Sequence, residues 1–268
     1  MNHQRPFLDN PSPGWKHDLP GPGEPPRVKP ESGYLANTPN KTDDVYLELS
    51  TTTLRGRGVI TWVGLFCVLV SLLPLSAIFL FSRFYFPVGD LLLCLTATLG
   101  GIWGGTVMIR TDISMPRDEP IRFNRARRKV YAYHFIRDWK RPFSRSAWGV
   151  RIASYDWDDL HAEACETYGP MGTGGFSQSV MLSVRKSGTR DVIKRFVFSH
   201  NIYQGEEYWA IAQLFMQQGP QALPHFKHPP RERNSEQSHF NVFWRFAPKV
   251  AWPADIDFES RTAPGAQQ

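Results

Sequence analysis

Gly58–Ser82 reads GVITWVGLFCVLVSLLPLSAIFLFS, 25 residues without a charged side chain, and Leu91–Ile109 reads LLLCLTATLGGIWGGTVMI, another 19. A helix rises about 1.5 Å per residue, so roughly 20 apolar residues cross a hydrocarbon core of roughly 30 Å. Two such runs separated by a short loop predict a membrane hairpin with helices over 59–82 and 89–110. Pro74 lies inside the first helix and predicts a kink there. Ser82, Arg83, Phe84, Tyr85, Phe86 and Pro87 mark the outer boundary, with aromatics at headgroup depth. In the second helix Gly100, Gly101, Gly104 and Gly105 form two overlapping GxxxG pairs. Missing side chains let another helix approach closely, either the first span or a second copy in a homo-oligomer. Neither run holds a charge, which argues against an ion or proton path.

Charge gives the orientation. Arg55 and Arg57 precede the first run, and Arg110, Arg117, Arg122, Arg125, Arg127, Arg128 and Lys129 follow the second. The connecting loop holds Arg83 and Asp90. Short loops rich in Lys and Arg stay cytoplasmic, so both termini are expected there. The mean hydropathy of −0.36 averages these apolar runs with a charged remainder. The net charge of +6 gathers beside the hairpin, which reads as a membrane feature and not as a nucleic-acid footprint. The three cysteines, Cys67, Cys94 and Cys165, offer no disulfide framework or CxxC site. The first apolar run starts too deep for a cleaved signal peptide.

The remainder divides by composition and period. Residues 1–43 are proline-rich and poor in aliphatics, and are expected to be disordered. Pro22–Arg27 formally matches a PxxP ligand. Within 44–57, Val45, Leu47 and Leu49 alternate with polar residues as in a half-buried strand, one that could join the sheet of the later domain. Residues 111–220 predict a cytoplasmic α+β domain. Strand alternation appears at Ile121–Phe123, Val130–Ile136, Trp148–Ile152, Val180–Val184 and Val192–Phe198. Then Tyr208, Ile211, Ala212 and Phe215 take helical spacing, with Glu206 and Glu207 at the start and Gly219-Pro220 at the end. A mostly antiparallel β domain capped by one amphipathic helix is pleckstrin-homology-like in outline. Residues 221–256 read as an extension packing on that domain, with Phe240, Phe243, Trp244 and Phe246 on the domain or at the bilayer surface. Residues 257–268 are expected to be a disordered tail.

Three groups invite a chemical reading. Arg122, Arg125, Arg127, Arg128 and Lys129 crowd a hairpin tip and could meet an anionic leaflet at about 1 kcal/mol per cation. A solvated topogenic turn is the plainer account. Asp156, Asp158, Asp159, His161, Glu163 and Glu166 could serve acid–base chemistry or a metal, yet a turn with Trp157 and Leu160 inward explains them as well. His161 with Cys165, and His225 with His228, are unconnected pairs, too few for a zinc site. Gly172–Gly175 lacks the lysine of a phosphate loop, and Ser177, Ser179, Ser183 and Ser187 lack a GxSxG elbow. No catalytic, cofactor or metal residues are assigned.

Two membrane helices, then Ile121-Arg-Phe-Asn-Arg and Lys129-Val-Tyr, then Tyr155-Asp-Trp-Asp-Asp-Leu160, resemble a family of proteobacterial two-helix inner-membrane proteins without an established activity. Some of these are associated with type VI secretion gene clusters. The resemblance spans residues 44–250 and implies a multi-pass inner-membrane protein, an accessory or immunity partner of a secreted effector. Three functions are thus expected in order: a membrane-anchored, non-enzymatic interaction module; an anionic-lipid adaptor acting through 122–129; an enzyme using 156–166.

Overall fold

The computed structural model describes residues 5–33, 38–51, 57–81, 87–169, 175–231, 233–236 and 242–266. Arg55, the boundary residues 82–86, Gly172–Gly174 and Phe240 lie outside the described residues. In chain order the elements are β1 (Trp15–Asp18), β2 (Lys41–Thr42), β3 (Tyr46–Ser50), α1 (Val59–Ser71), α2 (Leu73–Phe81) and α3 (Val88–Ser114). Then follow β4 (Pro120–Asn124), β5 (Lys129–Ile136), β6 (Gly149–Asp156), β7 (Leu160–Tyr168), β8 (Phe176–Arg185) and β9 (Val192–Ser199). Helices α4 (Ile202–Gln218), α5 (Val242–Phe246) and α6 (Ala254–Arg261) complete the chain. The protein is α+β: two long apolar helical segments followed by antiparallel sheets.

The segments Val59–Leu80 and Val88–Ser114 are long and apolar enough to cross a membrane. The first breaks at Leu72, where α1 ends and α2 begins. Pro74 has no N–H to offer the carbonyl of Val70, so the expected kink falls two residues before it. The α1–α3 contact uses half of the glycine pattern. A Cβ on Gly101 would overlap Ser71, and one on Gly105 would lie 2.6 Å from the Gly64 carbonyl oxygen. Gly100 and Gly104 face away from α1, with open space around them.

The hairpin is locked to the domain at its base. Asp112 accepts hydrogen bonds from the backbone N–H of Gly58 (2.6 Å) and from the Thr61 hydroxyl (2.7 Å). Arg57 donates to the carbonyls of Asp112, Met115 and Pro116 at 2.6–3.0 Å. The start of α1 and the end of α3 thereby form one polar clasp.

Two antiparallel sheets form the domain, in the orders β1-β7-β8-β9 and β2-β3-β4-β5-β6. Leu47, Ile121, Phe123, Val130 and Ala132 point from the second sheet into the core, as their period-two spacing requires. Trp157 is fully buried at the centre, edge-on to Phe123 at 5.9 Å and 4.9 Å from the Trp209 ring. Helix α4 closes the core with Tyr208, Ile211, Ala212 and Phe215, the face read from the sequence. It starts one turn before Glu206, where the Asn201 side chain accepts from the N–H of Gln204. It ends at Gly219, whose φ of 96° suits glycine. The strand read at Val45–Leu49 does join the domain: β3 pairs antiparallel with β4.

Several expectations need correction. Much of residues 1–43 is packed. Strand β1 pairs with β7, and Leu8 and Leu19 are buried. The proline-rich turn lies along α4, whose Gln213 side chain donates to the carbonyls of Pro20, Gly21 and Glu24, and whose Gln217 donates to those of Pro22 and Glu24. Prolines have carbonyls to satisfy but no N–H, so a helix that presents amide donors can order them without a ladder. Residues 257–266 are ordered as well: α6 lies across β4 and β5, with Ser260 buried. Strand β7 runs through what reads as an acidic turn, because its inward residues Ala162 and Ala164 are too small to mark a strand by hydropathy.

Candidate functional site

Strands alternate their side chains, so the second sheet has an outer face opposite the core. On it stand Tyr46 and Glu48 from β3, Arg122 and Asn124 from β4, and Tyr131 and Tyr133 from β5. The register sets Glu48 opposite Arg122, and Arg122 opposite Tyr131. This face is covered by chain that arrives more than 100 residues later.

Arg122 is the hub, at 2% exposure. Its Nε donates to Glu48 at 2.6 Å and its Nη1 to Asp257 at 2.7 Å and to the Ser260 hydroxyl at 2.8 Å. The guanidinium lies 4.2 Å from the centre of the Trp252 ring and 5.7 Å from that of Tyr46. Asn124 Nδ2 donates to the carbonyls of Ser260 and Thr262, each at 3.0 Å, and Arg127 donates to those of Thr262 and Ala263. These cations and amides satisfy the carbonyls that the end of α6 leaves open. Lys129 pairs with Glu259, which also accepts from the Tyr131 hydroxyl at 2.8 Å. Those two donors, the Tyr131 hydroxyl foremost, hold the Glu259 carboxyl below the usual carboxylate range.

The structure divides the five predicted lipid-binding cations among different partners. Arg122, Arg127 and Lys129 grip the C-terminal segment. Arg128 forms a two-pronged pair with Asp158. Arg125 is exposed and, among the described residues, has no carboxylate partner. The turn faces its own C-terminus because Asp257 and Glu259 supply the complementary charge. That acidic spacing in the tail is the sequence signal that points to the pairing.

The acidic run is dispersed in the same way. Asp158 goes to Arg128, His161 to Asp18 at 3.0 Å, and Glu166 to Lys16. Glu163 is fully buried, accepting from Ser12 through both its N–H and its hydroxyl, and from the Ser183 hydroxyl. Cys165 is buried and its thiol is pushed up to about 11, chiefly by that burial. Among the described residues, His, Cys, Asp and Glu form no group of three that could hold a metal ion. His225 and His228 line a separate proline-rich cavity of about 630 Å³.

Between the outer face and the covering chain is a polar cavity of about 700 Å³. Cations Lys41, Arg122, Arg231, Arg233 and Arg261 line it, against carboxylates Glu48, Asp118 and Asp257. Asp118 is buried, accepting from Asn40 (2.8 Å) and Ser50 (2.7 Å), and its burial keeps the carboxyl above the usual range. Three lining residues carry buried polar atoms without a hydrogen-bond partner among the described residues: Tyr46 Oη, Trp252 Nε1 and Arg233 Nε.

Residues 102–264, more than half of the chain, match the profile of DUF6708, a family of unknown function. The chain belongs to the DUF6708 family. The matched region runs from the middle of α3 through α6, so both Arg122 and the segment that covers it lie inside it. Strands β1–β3, with Tyr46 and Glu48, lie before the DUF6708 region and are added to its sheets. No curated protein and no solved structure matches the chain.

Proposed function

We propose that this DUF6708 protein is a membrane-anchored, non-enzymatic interaction module. Its hairpin spans the inner membrane with both termini cytoplasmic, and its domain takes an acidic partner segment into the cavity around Arg122 and Arg233. The observation that carries this is the cavity lining, five cations against three carboxylates, with Glu236 behind the wall pairing with Arg231 and Arg233, together with partnerless buried polar atoms in Tyr46, Trp252 and Arg233. Buried donors without acceptors are costly, about 1–3 kcal/mol each, and an occupant bearing carboxylates would offset that cost. The excess of Arg and Lys after the second span supports the orientation. Seven strands, β3–β9, followed by α4 support a pleckstrin-homology-like description of the domain. The resemblance adds the role: an accessory or immunity protein whose partner is a type VI effector.

The anionic-lipid adaptor acting through 122–129 is the weaker reading, because three of those five cations are already engaged by the C-terminal segment. The enzymatic reading of 156–166 is weaker still, because its side chains serve separate structural partners.

The test is photo-cross-linking in cells, with benzoylphenylalanine placed at Lys41 on the cavity wall and, as a control, at exposed Ser187. A discrete adduct at 41 but not at 187, abolished by Arg233→Glu and competed by a hexaglutamate peptide in membranes, is expected. Equal labelling at both positions, or labelling at 41 indifferent to Arg233→Glu, overturns the proposal.

A further inference from the structure

The loop between β5 and β6 carries its own message, independent of the cavity. Its sequence is Arg137-Asp-Trp-Lys-Arg-Pro-Phe-Ser-Arg-Ser-Ala-Trp148: four cations, one carboxylate and three aromatics in twelve residues. In an ordinary surface loop the aromatics would fold inward. Only Trp148 does so, buried against Phe135. Trp139 is 56% exposed and Phe143 70%.

The loop is held against the apolar helix. The Trp139 ring meets the Trp103 ring edge-on at 5.7 Å. Trp103 lies seven residues before Arg110, about 10 Å further along α3 at 1.5 Å per residue. Arg110 fixes the loop from below: its guanidinium lies 4.9 Å from the Trp148 ring centre and donates to the carbonyl of Pro142. The Trp148 Nε1 donates to the Arg141 carbonyl at 3.1 Å, which closes the loop on itself. The loop therefore reaches back past the polar end of α3 toward the apolar run.

Charge supports the same occupant. Asp138 is taken by Arg141, leaving Arg137, Lys140 and Arg145 exposed without a carboxylate partner among the described residues. Tryptophan prefers the headgroup region of a bilayer, and cations near an anionic leaflet gain about 1 kcal/mol each.

We propose that residues 137–148 form a leaflet-contacting loop, with Trp139 and Phe143 seated at the boundary of headgroups and acyl chains and Arg137, Lys140 and Arg145 on anionic headgroups. The loop thus fixes the tilt and height of the domain over the bilayer. This rests on the hairpin spanning that bilayer, not on the cavity or its occupant.

The test uses the full chain in nanodiscs of phosphatidylcholine, with and without phosphatidylglycerol. A genetically encoded fluorescent amino acid is placed in turn at Phe143, Leu93 or Ser187, and lipid-borne spin labels at shallow or deep acyl positions act as quenchers. Leu93 reports the hairpin and Ser187 the far side of the domain. Expected are deep quenching at 93, shallow quenching at 143 and none at 187. The signal at 143 strengthens with phosphatidylglycerol and is lost when Arg137, Lys140 and Arg145 are all replaced by Gln. If 93 is quenched while 143 behaves like 187, the loop proposal is overturned and the hairpin stands. If 93 is not quenched, both fall. If 143 is shielded from aqueous iodide but not quenched from the lipid, the patch faces a protein, which also overturns it.

Discussion

Arg122 concentrates more of the domain's electrostatics than any neighbouring cation. Buried ion pairs add little net stability, but removing one partner strands the others. Arg122→Ala leaves Glu48 and Asp257 without their shared cation, so a loss of about 3 kcal/mol is expected by denaturation of the full chain in detergent. Arg122→Lys restores only part, since one ammonium cannot reproduce the guanidinium fork or its stacking on Trp252. His134 provides a pH prediction. Its ring packs on Phe196 at 4.6 Å, and burial, helped by Lys194, lowers its pKa from 6.5 to about 4. A depressed pKa means the unfolded chain takes up the proton first. The stability that neutral His134 contributes is whole above about 6.5 and drains as pH falls toward 4. In melting temperatures measured across that window, His134→Phe should fall less steeply than the native chain; parallel slopes would contradict the assignment.

At the level of single elements, the four glycines of α3 divide by face. Gly101→Leu and Gly105→Leu drive side chains into Ser71 and the backbone at Gly64. These substitutions should open the α1–α3 contact, visible as altered hairpin mobility in SDS gels and a lower melting temperature in detergent. Gly100→Leu and Gly104→Leu meet open space and should leave the hairpin unchanged. An effect of the latter pair on cross-linked dimers would give that face to a second copy. A GxxxG pattern shows that small residues recur on a helix. Which of two adjacent residues faces the neighbour depends on how that helix is rotated, and only packing sets it. Helix α4 was legible for the opposite reason: its apolar stripe is wide, so its buried face follows from periodicity alone.

On the scale of the whole molecule, both termini are structural parts. Deleting residues 254–268 removes α6 and uncovers the part of the outer face that it spans on β4 and β5, while Trp252 stays over Arg122 and Tyr133. It takes away the hydrogen bonds of Arg122, Asn124, Arg127 and Tyr131 to that segment. Seven of these have ordinary length, and at about 1 kcal/mol for each ordinary hydrogen bond a loss of roughly 7 kcal/mol follows. A disordered tail would cost nothing, so unfolding of the truncated chain decides between the two descriptions.

The apolar runs, the strand periods from β3 to β9 except β7, and the inward turn of Trp157 and Leu160 were determined by the sequence alone. Each is a statement about neighbours within a few residues, where composition and period carry the physics. The fate of the charges was decided by the tertiary structure. Arg122 meets Asp257 across 135 positions, and Glu163 meets Ser12 across 151. A cation that reads as free beside a membrane is spent on a carboxylate that only folding brings to it. The loop 137–148 shows its cations and aromatics in the sequence, but its place beside the hairpin is set only where β5 and β6 end.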